Sequence, residues 1–351
     1  MPTSRILRFL AGSSFVFALA AAPALKAWNE EGHRMVNEVA LASLPADFPA
    51  FVRDPATAKR IAWLSSEPDR WRSTPDLPAT HQNAIDHYID LEQLDEAGLT
   101  TAELPSFRYD FAAQFSAARA AHLANFPPID PKKDRDHTRP WCGFLPWAIE
   151  EGFGRLRGDF SRLKVYEEFG MEADAALTRA SIVEQMGVLG HYVGDGSQPL
   201  HTTIHHNGWV GANPHGYTTW DRIHAWIDGG FILKANITFA DLRDQVKPAT
   251  ALAVPSISSP GPERDPVFAL VMDYLLAQHA QMEPLYQLEK AGGLNHDDRP
   301  ASPDGKAFIE RQLLVGGQML GQLWYTAWKT AAPDNYLRSS LLKKNAAPVA
   351  K

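Results

Sequence analysis

The chain has 351 residues, with 34 Lys and Arg against 41 Asp and Glu, a net charge of −7 and a single cysteine. That balance excludes an electrostatic nucleic-acid clamp of the basic-patch type, and the lone Cys142 excludes an intrachain disulfide. The length allows a sizeable core, in one large domain or two small ones.

Residues 1–27 read as a removable leader. Arg5 and Arg8 give a positive start, Phe9 to Ala22 is apolar, and Leu25-Lys26-Ala27 ends in a small residue suited to cleavage. The apolar run is short for a spanning helix, which needs about 20 such residues. No later segment reads as a membrane span. The protein is therefore expected to be exported, to a periplasm or beyond the cell. Removing the leader, with its three basic and no acidic residues, leaves 324 residues and a net charge of −10. A protein so acidic needs metal ions to supply positive charge if it handles phosphodiesters.

The predicted elements are helical. Apolar residues recur at helical spacing over about 31–43, 147–168, 173–193, 265–290 and 305–331. The last two windows read as long amphipathic helices. Alternating β-branched runs are almost absent. Pro and Gly clusters punctuate the chain at 103–106, 126–132, 207–216 and 253–263. The stretch from about 94 to 146 reads as irregular, part of it an insertion over the site, and Asp130 to His137 as a solvated loop. The pattern predicts an all-α fold, with a single domain over 28–335 and a C-terminal tail over 336–351.

The chemistry lies in the histidines and carboxylates. Cleavage after Ala27 makes Trp28 the N-terminus, whose α-amine and carbonyl oxygen could chelate a metal together with His33, five residues on. His191 and Asp195 are four apart at the end of a helical window, so both face one side. His201 follows six later, after a Gly and a Pro that should end the helix. His224 and Asp228 are again four apart. Zinc accepts imidazole nitrogen and carboxylate oxygen. One His-x3-Asp is weak evidence, but two of them joined by Asp195-Gly196-Ser197-Gln198-Pro199-Leu200-His201 form a specific pattern.

From Trp28 to about residue 330, this pattern resembles the superfamily of trinuclear zinc phosphodiesterases that holds the S1/P1-type nucleases and the bacterial zinc-dependent phospholipases C. The family has an N-terminal Trp, a nearby His, an Asp, a His, a His-x3-Asp-x5-His run and a closing His-x3-Asp or Glu. The closing Asp228 and the step from His201 to His224 suit the nuclease branch. The resemblance implies a mainly helical fold of the phospholipase C/P1 nuclease type. It also implies three zinc ions: one on Asp69, His87, His191 and Asp195, one on His201, His224 and Asp228, and one on Trp28, His33 and Asp195. Glu67 competes with Asp69 for its place, and His81 with His87. Asp69, Arg72 and Asp90 are the candidate catalytic group, with Arg72 and Asp90 beside the phosphate or water, or in a structural ion pair. Tyr88, Asn207, Trp209 and Asn213 are candidate substrate contacts, although a core role also suits Tyr88. His205, His206 and His215 either touch substrate or serve the loop. His122, His137, His279 and His296 read as structural or exposed.

The implied activity is cleavage of single-stranded DNA or RNA, with 3′-nucleotidase activity as a companion. Phospholipid is the alternative substrate and a non-catalytic zinc protein the third reading. No protein partner is implied, and the chain is expected to act as a monomer. The nuclease Gly-Gly-Asn signature is absent: the loop has Asn207-Gly208-Trp209 and Gly211-Ala212-Asn213. The step from His87 to His191 is also longer than in typical nucleases.

Overall fold

The computed structural model describes residues 28–254 and 265–346. The expected leader, and most of the Pro-rich cluster at 253–263, lie outside the described residues. In chain order the α-helices are α1 (Glu30–Ser43), α2 (Pro55–Leu64), α3 (Glu67–Arg72), α4 (Leu77–Ala84), α5 (Leu91–Glu96), α6 (Arg108–Ala121), α7 (Leu145–Glu168) and α8 (Glu172–Ser197). They continue as α9 (Ile223–Ala225), α10 (Phe231–Lys234), α11 (Phe239–Arg243), α12 (Pro266–His279), α13 (Met282–Lys290), α14 (Pro303–Thr330) and α15 (Asn335–Ala346). Among the described residues there is no strand, and one isolated bridge joins Ile89 to Gly143. No described helix is long and apolar enough to cross a membrane.

Proline sets many of the helix starts. α2, α3, α4, α7, α12 and α14 each carry Pro at the first or second position, where its missing N–H costs nothing. The same residue explains one correction. The window 265–290 is two helices, broken at Ala280 and Gln281. Pro284 cannot continue a helix past the Ala280 carbonyl, so it sits in the first turn of a new one.

α7 and α8 form a hairpin through a tight turn at Phe169–Met171. α14 packs on α1, α7 and α8, and α2 closes over α1 and α8. Buried Asn37 staples three of these helices, its Nδ2 donating to Ile61 O at 2.9 Å and Gly187 O at 3.2 Å. The region 94–146 is more ordered than its sequence pattern suggests. α6 buries Phe111 and Phe115, one turn apart, and Phe111 stacks on Trp147 at 3.9 Å. Those aromatics tie the segment to the main core. The run from Asp130 to His137 is a loop with a short 3-10 turn at Pro131–Lys133. α15 turns much of the expected tail into helix, with Arg338 paired to Glu168 of α7.

The C-terminal third of α8 runs through the centre. Every residue from Leu189 to Ser197 is buried. A helix buried all round normally presents apolar groups to its neighbours. Here it carries His191 and Asp195 inward, which concentrates polar chemistry at the core.

Candidate metal centre

Three elements bring ligands to this end of α8. α1 brings His33, whose ring stacks on His191 with centroids 3.9 Å apart. The approach depends on Gly194: a Cβ there would lie 2.8 Å from His33 Nδ1. α3 brings Asp69 to 4.0 Å from His191 Nε2. The 3-10 turn Ile85–His87 brings His87 Nδ1 to 2.9 Å from His191 Nε2.

Asp195 lies at the centre and is fully buried. Oδ1 is 3.4 Å from His33 Nε2 and 3.8 Å from His201 Nδ1, while Oδ2 is 3.0 Å from His87 Nδ1 and 3.3 Å from His191 Nε2. A second group forms where His201 and His224 approach, Nε2 to Nε2, at 2.9 Å and Asp228 Oδ2 lies 3.2 Å from His224 Nε2. His224 precedes and Asp228 lies within a π-helical turn, Trp226–Gly230, a widened turn of the kind often found at functional sites.

Ligand atoms thus collect into three sets, each within 4.8 Å: His33–Asp69–His191 and His87–His191–Asp195, which share His191, and His201–His224–Asp228. The last matches the expected second zinc group. The first two divide the remaining ligands differently from expectation, with His33 nearer Asp69 and His191. Of the competing positions, Glu67 pairs with Arg70 near the surface and His81 Nδ1 bonds to Asp136 O. Neither is in these sets.

Trp28 is fully buried, and its indole N–H donates to Ser197 Oγ at 3.0 Å. The next amide, of Asn29, donates to Asp228 O at 2.8 Å. The N-terminal segment is thereby tied both to the end of α8 and to the Asp228 turn.

Backbone carbonyls orient the rings. His191 Nδ1 donates to Ser65 O and His201 Nδ1 to His87 O, each at 2.6 Å. Such bonds set the tautomer and leave Nε2 as the donor atom for a metal. Burial lowers the pKa of His33 to about 4 and of His87 to about 3, and drives that of His224 well down. Burial also pulls at His191, but the Asp195 and Asp69 carboxylates raise it overall. Burial favours protonated Asp195, yet His191 and His201 hold its carboxyl well below the usual range. Asp228 goes the other way, raised by burial against its bond from Gln198.

The donor set fits a metal. Both ring nitrogens of His33, Nε2 of His87, Oδ1 of Asp195 and Oδ2 of Asp228 are buried without a hydrogen-bond partner. Orphaned polar atoms of that kind are costly in a dry core. Neutral imidazoles with carboxylate oxygen are the ligands that suit zinc.

The remaining candidates surround this centre. Arg72 Nη2 lies 2.7 Å from Asp69 Oδ1. Asp90 is buried and accepts from Gln93 Nε2 at 2.8 Å; burial, aided by Glu92, raises its pKa to about 8. His206 Nδ1 lies 3.9 Å from Asp90 Oδ1, and its ring is 6.1 Å from that of His224. Tyr88 is half-buried, and its carbonyl is covered by Gly143, where a Cβ would come within 2.0 Å. Only Gly tolerates that approach and the φ of +100° there. Trp209 stacks on His205 at 4.0 Å and packs on Tyr217 and Tyr286. Both ends of the Asn213 amide bond to the Tyr217 backbone at 2.8 Å, which clamps the loop. Asn207 Oδ1 is buried without a partner.

Sequence reasoning missed Glu92, which holds Thr203 Oγ1 and the Ile204 amide just after His201, while His279, read as structural or exposed, donates from Nδ1 to Thr202 O. No spacing marks Glu92. The chain matches no family model and no curated protein.

Proposed function

We propose that this protein is an exported zinc-dependent phosphodiesterase of the S1/P1 nuclease type, cleaving single-stranded DNA or RNA. The observation that carries the reading is the convergence of five imidazoles and three carboxylates on one buried centre, with donor atoms that nothing else in the core satisfies. Asp69, His87, His191 and Asp195 would hold one zinc, and His201, His224 and Asp228 a second. Trp28, as a free N-terminus, would hold a third with His33 and Asp195. Bound there, the ions would supply Lewis acidity and the positive charge that an acidic protein lacks for a phosphodiester.

The chain's own residues have separable roles in this reading. Arg72, fixed by Asp69, offers a guanidinium N–H to a phosphate oxygen. Asp90 can hold a proton on its carboxyl near neutral pH, close to His206. The Trp209 loop gives bases an aromatic wall, and single strands suit it because their bases are free to stack.

The test combines metal analysis with hydrolysis of single-stranded DNA, RNA and phosphatidylcholine vesicles, before and after EDTA. Three zinc ions per chain and nucleic-acid cleavage that zinc restores after chelation are expected. Lipid hydrolysis without DNA or RNA cleavage would replace the nuclease reading with a phospholipase C. Zinc-dependent folding with no hydrolysis of any substrate would leave a zinc-stabilised binding protein.

A further inference from the structure

Gln198 lies at the junction between α8 and the 3-10 turn Pro199–Thr202, and it is fully buried. Its amide serves two groups. Oε1 accepts from the Leu200 amide at 2.7 Å, and Nε2 donates to Asp228 Oδ1 at 2.7 Å. Chemistry sets which end faces which group. A backbone N–H can only donate, so the acceptor end must meet it and the donor end is left for the carboxylate.

The consequence falls on Asp228. Its backbone carbonyl is held by the Asn29 amide and its Oδ1 by Gln198. Oδ2 remains as the oxygen near His224, buried and without a hydrogen bond. Leu200 immediately precedes His201. One side chain therefore ties the backbone that carries His201 to the carboxylate facing it across the group.

We infer that Gln198 is the positioning residue of the His201–His224–Asp228 metal group, holding Asp228 so that Oδ2 alone is offered to the ion. This rests on the metal reading given above. A purely structural Gln198 would only pin the turn to the π-helical segment, and any side chain that preserved the Leu200 bond would serve.

The experiment uses the full chain with zinc as the probe. It records zinc per chain and its resistance to a graded chelator, with thermal melting of the metal-free protein alongside. Gln198→Glu keeps an acceptor for Leu200 but sets a carboxylate oxygen against Asp228. One zinc should then be lost at about 10–100-fold lower chelator, the range expected when an outer-shell partner is removed. The other ions and the metal-free melting temperature should change little. Asp228→Asn should lose the same zinc, because Gln198 goes on binding the carbonyl oxygen and turns the amide NH2 toward the imidazoles. The double variant Q198E/D228N reverses that polarity. Its introduced carboxylate would accept from the introduced amide, return the amide carbonyl oxygen to the group and recover about 10-fold of the chelator resistance lost in D228N.

Wild-type zinc retention in Q198E, or a double variant no better than D228N, would overturn the inference. If Q198E does not fold, the comparison of D228N with the double variant decides, because the swap restores one donor and one acceptor to the pair. A wild-type chain that takes up no zinc would overturn the metal reading itself, a result distinct from either of these.

Discussion

Two histidine-rich regions adjoin each other and differ in how their polar atoms are satisfied. Around Asp195, the His33 ring has no hydrogen bond at either nitrogen, and His87 Nε2 has none. In the adjoining loop the histidines are engaged through Nδ1. His205 Nδ1 accepts from the Val210 amide at 3.0 Å and its ring lies flat on Trp209, while Tyr286 Oη donates to His205 O. His206 Nδ1 is 3.1 Å from Thr203 O. The first region has the chemistry of a site that can hold a cation. The second is a wall already held together by its own contacts, and residue type alone does not separate the two.

The largest expected effect tests the first region. Asp195→Asn removes the charge that His33, His87 and His191 share. On the proposed three-zinc reading it should cost two of the ions by metal analysis and lower turnover at least about 100-fold, more than loss of a group that only orients a ligand. Full zinc content in this variant would erase the difference between the two regions.

A smaller effect is expected in the second region. Trp209→Ala removes the stack on His205 and the packing against Tyr217 and Tyr286. Denaturant unfolding should report a loss of about 1–3 kcal/mol, the usual cost of a partly buried aromatic contact. KM should rise while zinc content stays unchanged. Loss of zinc in this variant would mean that the wall and the centre are one unit.

The smallest effect concerns a carboxyl whose burial is resolved by a proton instead. Glu150, half-buried on α7 beside Asp265 and Glu151, has its pKa raised from 4.5 to about 8, chiefly by burial. The folded state holds that proton where the unfolded chain releases it. Stability from this group is therefore present below pH 4.5 and lost as pH rises toward 8. Glu150→Gln cannot lose the proton. Its melting temperature should match wild type near pH 4 and exceed it by a few degrees at pH 9. An equal difference at both values would show that ionisation of Glu150 does not govern the effect.

Much of the fold was legible. Apolar spacing locates α1, α7, α8 and α14 to within a few residues, because it is a local constraint on burial. Pro284 also carried the break between α12 and α13, a signal that the apolar period concealed. α6 was not legible as part of the core. Its Phe111 has meaning only against Trp147 and Phe144, and its Phe115 against Trp141, all distant in sequence.

The candidate centre divides along the same line. The pair His191–Asp195 follows from helical geometry, where residues four apart share a face, so sequence by itself determined it, whereas His224 and Asp228 meet through a π-helical turn that spacing did not show. Which carboxylate precedes them, and which His, did not follow from spacing. Tertiary structure placed Asp69 and His87 against His191 and left Glu67 and His81 elsewhere. It also decided that Asp195 lies within reach of four imidazoles and that Gln198 takes one oxygen of Asp228. The physical reason is reach. A helix turn fixes neighbours over a few residues, whereas the desolvated contact of groups more than a hundred residues apart exists only once α1, α3 and α8 have packed.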